Sequence, residues 1–177
     1  MTREQLEHVI RASAAIAGVR DIVVIGSQAV LGEFPSAPAE LLVSRDADVY
    51  PLEHPERSDL IDGSIGEGSP LERTLGYYAH GVDDTTAVVP EGRRERPIGV
   101  TGENTHQARR WRLQVHDLAI AKYVAGRPKD LDFTRILAIH GMTLTDVMLR
   151  RLEVTALVDE VRQLTAARIQ ADFRSAV

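Results

Sequence analysis

Two short pieces of this chain have residue types and spacing suited to phosphate and metal chemistry. In Asp46-Ala47-Asp48 two carboxylates stand two residues apart, and in a strand residues at that spacing face the same side. Each of two like charges held so close disfavours ionisation of the other unless a cation lies between them. Mg2+ suits such a pair, because it is held by one or two carboxylates together with substrate phosphates. Mn2+ accepts the same oxygen donors. Earlier in the chain a β-branched run from Asp21 to Ile25 ends in Gly26-Ser27, and a small helix-like piece follows. A strand that stops there and turns into a helix aims backbone N–H groups at whatever lies beyond, and helix N-termini favour anions. Alone, Gly-Ser is an ordinary strand end, and acids at a strand end are an ordinary way to cap a turn or keep an edge soluble. Together they offer a phosphate seat and a metal seat within one stretch, Asp21 to Tyr50.

A third group lies far along the chain. Lys122 is the single lysine of an otherwise apolar helical piece, LAIAKYVA. A lysine surrounded by apolar neighbours needs an anion or suffers a large desolvation cost. A triphosphate would be one such anion and Asp130 another; a lysine that snorkels with its head in water is the third possibility. Asp130 and Asp132 also have a plain explanation, since acids favour the start of a helix. The six histidines, His8, His54, His80, His106, His116 and His140, show no paired ligand spacing, so zinc chemistry is not expected. Neither a Walker lysine motif, nor Gly-x-Gly-x-x-Gly, nor a Gly-x-Ser-x-Gly elbow occurs.

With these blocks in order, the sequence resembles the nucleotidyltransferases of the DNA polymerase beta superfamily, in particular the AbiEii-type toxins of type IV toxin–antitoxin systems and their uncharacterised relatives. Gly26-Ser27 and Asp46-x-Asp48 carry the first half of the resemblance. HDLAIAKYVAGR (His116 to Arg127) and the following Pro128-Lys129-Asp130-Leu131-Asp132 carry the second. Lys122 and Ala125 match the toxins' Lys-x-x-Ala helix, and Arg127, Lys129 and Asp130 match their Arg-x-Lys-Asp segment. Asp132 falls one residue early for that segment's last acid. The resemblance implies an Mg2+-dependent (or Mn2+-dependent) transfer of NMP from a nucleoside triphosphate to an acceptor hydroxyl, with an RNA or tRNA 3′ end favoured, and a cognate antitoxin as partner. It makes Asp46, Asp48, Lys122 and Asp130 catalytic, Asp46 and Asp48 metal ligands, and Gly26, Ser27 and Lys122 nucleotide-binding. In one respect the chain departs from the superfamily: a third carboxylate is usual on a later strand, and the later strand candidates here contain no internal acid. The alternative is therefore a catalytically degenerate nucleotidyltransferase fold that serves as a nucleotide-binding or regulatory module.

The elements that must position these residues are legible from pattern. Thr2 to Ala17 reads as a helix, with Thr2 and Gln5 as a capping box and Leu6, Val9, Ile10, Ile16 and Ala17 at helical spacing; Ser13 is the polar interruption of that face. Strands are expected over Asp21–Ile25 and Leu41–Tyr50, with a short helix over Ser27–Phe34 between them. Arg57–Ile65 is weakly helical, and Ser69-Pro70-Leu71-Glu72 is a strong helix start. Tyr77–Val82 and Thr86–Val89 read as a hairpin around Asp83-Asp84, and Trp111–Val115 as a further strand. Helices follow over His116–Ala125, Pro128–His140, Thr143–Leu152 (capped by Thr143) and Thr155–Ser175. The expected fold is α+β: a nucleotidyltransferase-like mixed sheet flanked by helices over residues 1–115, with a C-terminal helical subdomain over 116–177.

Composition agrees with a folded chain able to bury a core: 177 residues, 44% hydrophobic and 27% charged. The absence of cysteine rules out disulfides and thiolate zinc sites. No apolar run is long enough for a membrane span, and the start does not read as a signal peptide, so cytoplasm is the expected location. A net charge of −5 argues against a general nucleic-acid coat. The charge is uneven, however. Arg93, Arg94, Arg96, Arg109, Arg110 and Arg112 crowd a stretch whose acids are Glu91, Glu95 and Glu103, which reads either as a solvated face or as a contact strip for RNA.

Overall fold

Helix α1 (Arg3–Ala17) starts where its capping chemistry dictates. The Thr2 hydroxyl accepts from the Gln5 backbone N–H, and the Gln5 side chain accepts from the Thr2 N–H at 2.8 Å. Leu6, Val9, Ile10, Ser13, Ala14 and Ala17 form its buried stripe, and Glu7, paired with Arg3, is buried as well. Ser13 is fully buried there and its hydroxyl meets no hydrogen-bond partner among the described residues. Such a hydroxyl has lost its water for nothing, so Ser13→Ala is expected to stabilise the protein by about 1 kcal/mol, read as a raised denaturant midpoint.

The chain, a computed structural model, is described over residues 1–83, 85–92 and 109–175. It is α+β and divides into two compact units, one of Met1–Thr86 with Pro97–Leu113, the other of Ala87–Arg96 with Gln114–Val177. In the first unit, α1 is followed by strand β1 (Asp21–Val24), a 3-10 turn (Ser27–Ala29) running into α2 (Val30–Glu33), and β2 (Asp46–Pro51). Then come α3 (Ser58–Ile65), α4 (Pro70–Leu75), β3 (Tyr78–Gly81) and β4 (Arg109–Arg112). The sheet order is β3-β2-β1-β4; β1 and β2 are antiparallel, and the two outer pairings are parallel.

Register sorts the sheet into two faces. Val24 lies opposite Val49, and Ala47 beside Ala79; all four are buried, with Ile22, on the face that α1 and α3 cover. Asp46 lies beside Tyr78, Asp48 beside His80, and Val23 opposite Tyr50 on the other face. Gly81 shows how tightly α3 is held: a Cβ there would stand 2.1 Å from the Ser58 carbonyl oxygen and 3.1 Å from the Asp62 nitrogen. Backbone cannot give way as a side chain can. Gly81→Ala is therefore expected to destabilise the unit by about 1–3 kcal/mol, seen as a lowered Tm with an unchanged circular-dichroism spectrum at low temperature.

The expected hairpin does not form. β3 pairs in parallel with β2, a connection that needs a crossover, and α3 and α4 provide it. Beyond β3 the Asp83 carboxylate accepts from the Thr85 N–H and hydroxyl, which turns the chain away; Asp84 lies outside the described residues. Residues 86–89 are not a strand, and Glu91, which belongs to the second unit, donates its backbone N–H to the Val154 carbonyl of the same unit. β2 begins at Asp46 rather than Leu41, because Ala39–Leu41 close a 3-10 turn. β4 ends at Arg112, since Val115 already opens a helix; the Trp111 indole N–H ties β4 to the Asp21 carboxylate at 2.6 Å.

The second unit contains α5 (Val115–Ala125), α6 (Pro128–Ile139), α7 (Thr145–Glu153) and α8 (Asp159–Ser175). Leu118, Ile120, Tyr123, Leu137, Met148 and Ile169 are its largest fully buried apolar side chains. α7 starts after Leu144, not at a Thr143 cap: Thr143 is buried, and the Leu144 N–H donates to His116 Nε2 at 3.2 Å. The start of α8 moves to Asp159 for a similar reason. Arg162 donates to the carbonyls of Leu152, Glu153, Thr155 and Leu157, holding the preceding residues in an irregular link. Among the described residues no helix is long and apolar enough to cross a membrane.

Candidate metal centre

Both carboxylates of the Asp-x-Asp pair stand on the face of β2 opposite the helices, half-buried. The Ser44 hydroxyl donates to Asp46 Oδ1. Ser44 is itself held: the side-chain amide of Gln28, fully buried, donates to the Ser44 carbonyl at 3.0 Å. The piece that follows Gly26 therefore fixes the entry to β2 as well as the end of β1.

Gly26 is required by close approach. A Cβ built on it would stand 1.9 Å from Asp48 Oδ2 and 2.8 Å from its Cγ, so the Asp48 carboxylate fills the place a side chain at 26 would take. The Ile25 N–H donates to the Asp48 carbonyl at 3.1 Å, which holds the end of β1 against the same residue. The Gly-Ser corner and the Asp-x-Asp pair are thus neighbours in space. One expectation about that corner changes. Ser27–Ala29 is a 3-10 turn and α2 spans a single helical turn, too short to sum peptide dipoles into a useful macrodipole. An anion seated there would depend on local N–H groups and the Ser27 side chain rather than on a helix dipole.

His80 completes the group. It lies beside Asp48 on β3, with Nδ1 3.3 Å from Asp48 Oδ1. Ligand atoms of Asp46, Asp48 and His80 all fall within 4.8 Å of one another. Sequence spacing gave no hint of this, because ligand spacing within one segment says nothing of two strands in register. The available signal was the strand alternation, which puts Tyr78 and His80 on one side and Ala79 on the other. The Tyr78 phenol is pushed above its ordinary range, first by burial and then by Asp46, Glu67 and Glu72, with Arg45 opposing. Neither β3 nor β4 carries a carboxylate.

Lys122 and Asp130 are both in the second unit, where they pair. The Lys122 ammonium donates to Asp130 Oδ1 at 2.9 Å and stands 4.5 Å from the centre of the Phe133 ring. Arg127 donates to Asp130 Oδ2 at 2.5 Å. Asp130 is fully buried. Burial pushes its carboxyl up, but the hydrogen bonds from Arg127 and Lys122 outweigh that and hold it below the usual carboxylate range. Asp132 instead meets Arg135 at the surface, at 3.4 Å. Of the arginines in the basic stretch, Arg93, Arg94 and Arg96 lie outside the described residues, and Arg109, Arg110 and Arg112 are described only as backbone of β4. Compared with known proteins, the chain matches no family model, no curated protein and no solved structure.

Proposed function

We propose that this chain is a divalent-metal-dependent nucleotidyltransferase of the DNA polymerase beta type. One observation carries the reading: Asp48 occupies the space that a side chain at Gly26 would fill, so the metal carboxylates and the Gly-Ser corner form one site. Asp46 and Asp48 would hold Mg2+ or Mn2+, which supplies the positive charge that a triphosphate requires. Ser27 and the backbone N–H groups beside Gly26 would seat the β- and γ-phosphates. An acceptor hydroxyl attacks the α-phosphate in line; its oxygen bonds to phosphorus as the bond to the β-phosphate breaks and pyrophosphate leaves.

The resemblance brings Lys122 into the same reaction as the residue that neutralises charge building on the phosphates, and Asp130 as the residue that takes the acceptor's proton. The contacts with Asp130 and Phe133 hold the Lys122 amino group in place, which suits the first role. Asp130, fully buried with both oxygens engaged by cations, is better suited to holding Lys122 than to accepting a proton. An RNA or tRNA 3′ end as acceptor, and a cognate antitoxin as partner, rest on the resemblance alone.

The absence of a carboxylate on β3 and β4 favours a second reading, a nucleotide-binding or regulatory module on the same fold. Incubation with each labelled triphosphate, Mg2+ or Mn2+ and total RNA separates the two. Label transfer that vanishes in Asp48→Ala supports the enzyme; tight triphosphate binding without transfer supports the module. Transfer that survives Asp48→Ala shows that the site is misassigned. If the acceptor is RNA, its affinity should fall with salt and with replacement of the arginines from Arg93 to Arg112.

A further inference from the structure

We infer that His80 is the third protein ligand of this centre and that it sets the identity of the metal. The inference rests on the proposed metal site and adds to it a residue and a selectivity. The geometry is that of ligands to one ion. Two donors at right angles on an ion about 2.1 Å away stand about 3 Å apart, and His80 Nδ1 lies 3.3 Å from Asp48 Oδ1. The three donor groups converge within 4.8 Å from two adjacent strands in register. The backbone holds each in place: Ser44 fixes Asp46, Gly26 leaves room for Asp48, and Gly81 seats β3 against the backbone of α3 immediately after His80.

Two carboxylates alone make a hard oxygen site, for which Mg2+ is well suited. An imidazole nitrogen changes the preference. Mg2+ takes oxygen ligands almost exclusively and dehydrates reluctantly, whereas Mn2+ and the later divalent ions accept nitrogen donors with rising affinity. A carboxylate at position 80 would add a third negative charge and retain Mg2+; histidine gives up that charge and selects an ion that tolerates nitrogen. The centre is therefore an Asp-Asp-His site that prefers Mn2+ to Mg2+. The coordination positions left over remain for the oxygen atoms of a phosphate-bearing substrate. His80 is about half exposed, so it can turn toward an ion without disturbing the core.

The test uses the full chain and Mn2+ as the probe. Mn2+ binding is followed by electron paramagnetic resonance, and nitrogen coordination by electron spin echo envelope modulation. Mg2+ affinity is read by competition against Mn2+. The wild type is expected to show a directly bound nitrogen and to bind Mn2+ at least about tenfold more tightly than Mg2+. In His80→Ala and His80→Gln the nitrogen signal should disappear and Mn2+ affinity should fall by about tenfold or more, with Mg2+ affinity little changed. In His80→Asp the preference should shift toward Mg2+. His54→Ala, at an exposed histidine outside the site, should retain the nitrogen signal. Mn2+ bound in an Asp48-dependent way without a nitrogen signal, or with one that persists in both His80 variants, overturns the role of His80 and leaves the carboxylate site standing. Absence of Mn2+ binding, or binding unaffected by Asp46→Asn and Asp48→Asn, overturns the metal reading and this inference with it.

Discussion

Under the proposed function, Asp48→Asn is expected to lower nucleotidyl transfer by about a thousand-fold, the scale on which removal of one charge-stabilising group acts on an enzyme. The fold should survive. Asp48 is half-exposed, and the amide conserves its volume while removing the charge that would hold the metal. Gly26→Ala approaches the same result by geometry alone. Its methyl group would lie 1.9 Å from Asp48 Oδ2 and 3.0 Å from Asp48 Cβ, and the end of a side chain gives way before backbone does. The aspartate would therefore swing out of position with its charge intact. Divalent-ion affinity should fall in both variants, with Tm nearly unchanged. Full activity in Gly26→Ala would show that the Asp48 carboxylate does no chemistry where it stands.

The second large effect is on stability. Asp130→Ala should destabilise the helical unit by about 3–5 kcal/mol, because it strands the buried ammonium of Lys122. Lys122→Met combined with Asp130→Leu removes both charges and should recover most of the loss, since apolar replacement of a buried pair is often neutral. The double variant also separates two roles. Recovery of stability without recovery of transfer would mark Lys122 as acting on the phosphates, and recovery of both would mark the pair as structural. The same contacts fix the response to acid. The Asp130 carboxyl is held below its unfolded value, so its contribution is present above the unfolded carboxylate range. It is lost as pH falls through the lower folded value. Unfolding of the helical unit monitored by circular dichroism should move to lower denaturant below about pH 4, and less so in the double variant.

Much of this protein follows from local chemistry that any stretch of sequence displays. The capping box at Thr2 and Gln5 forms as read, and Ser69 caps a helix whose first residue is Pro70. The alternation of β2 puts Asp46 and Asp48 on one face, as a strand must. Even Ser13, a polar residue on the stripe of α1, is buried where its spacing puts it. These features depend on the periods of helix and strand and on hydrogen bonds between residues three apart, and both are set by the backbone.

What the tertiary structure decided is which strand lies beside which, and in what register. That choice depends on burying Ala47, Val49 and Ala79 together under α1 and α3, a long-range balance that no local spacing encodes. It turned an expected hairpin into a parallel pair, and in doing so set His80 next to Asp48. It also showed that Gly26 is a glycine because the Asp48 carboxylate occupies its side-chain space, a reason invisible in the Gly-Ser motif. In the helical unit it chose among the three environments open to Lys122, pairing it with Asp130 one helix away. Sequence alone determined the two carboxylates and their common face; packing decided that a histidine from a separate segment joins them.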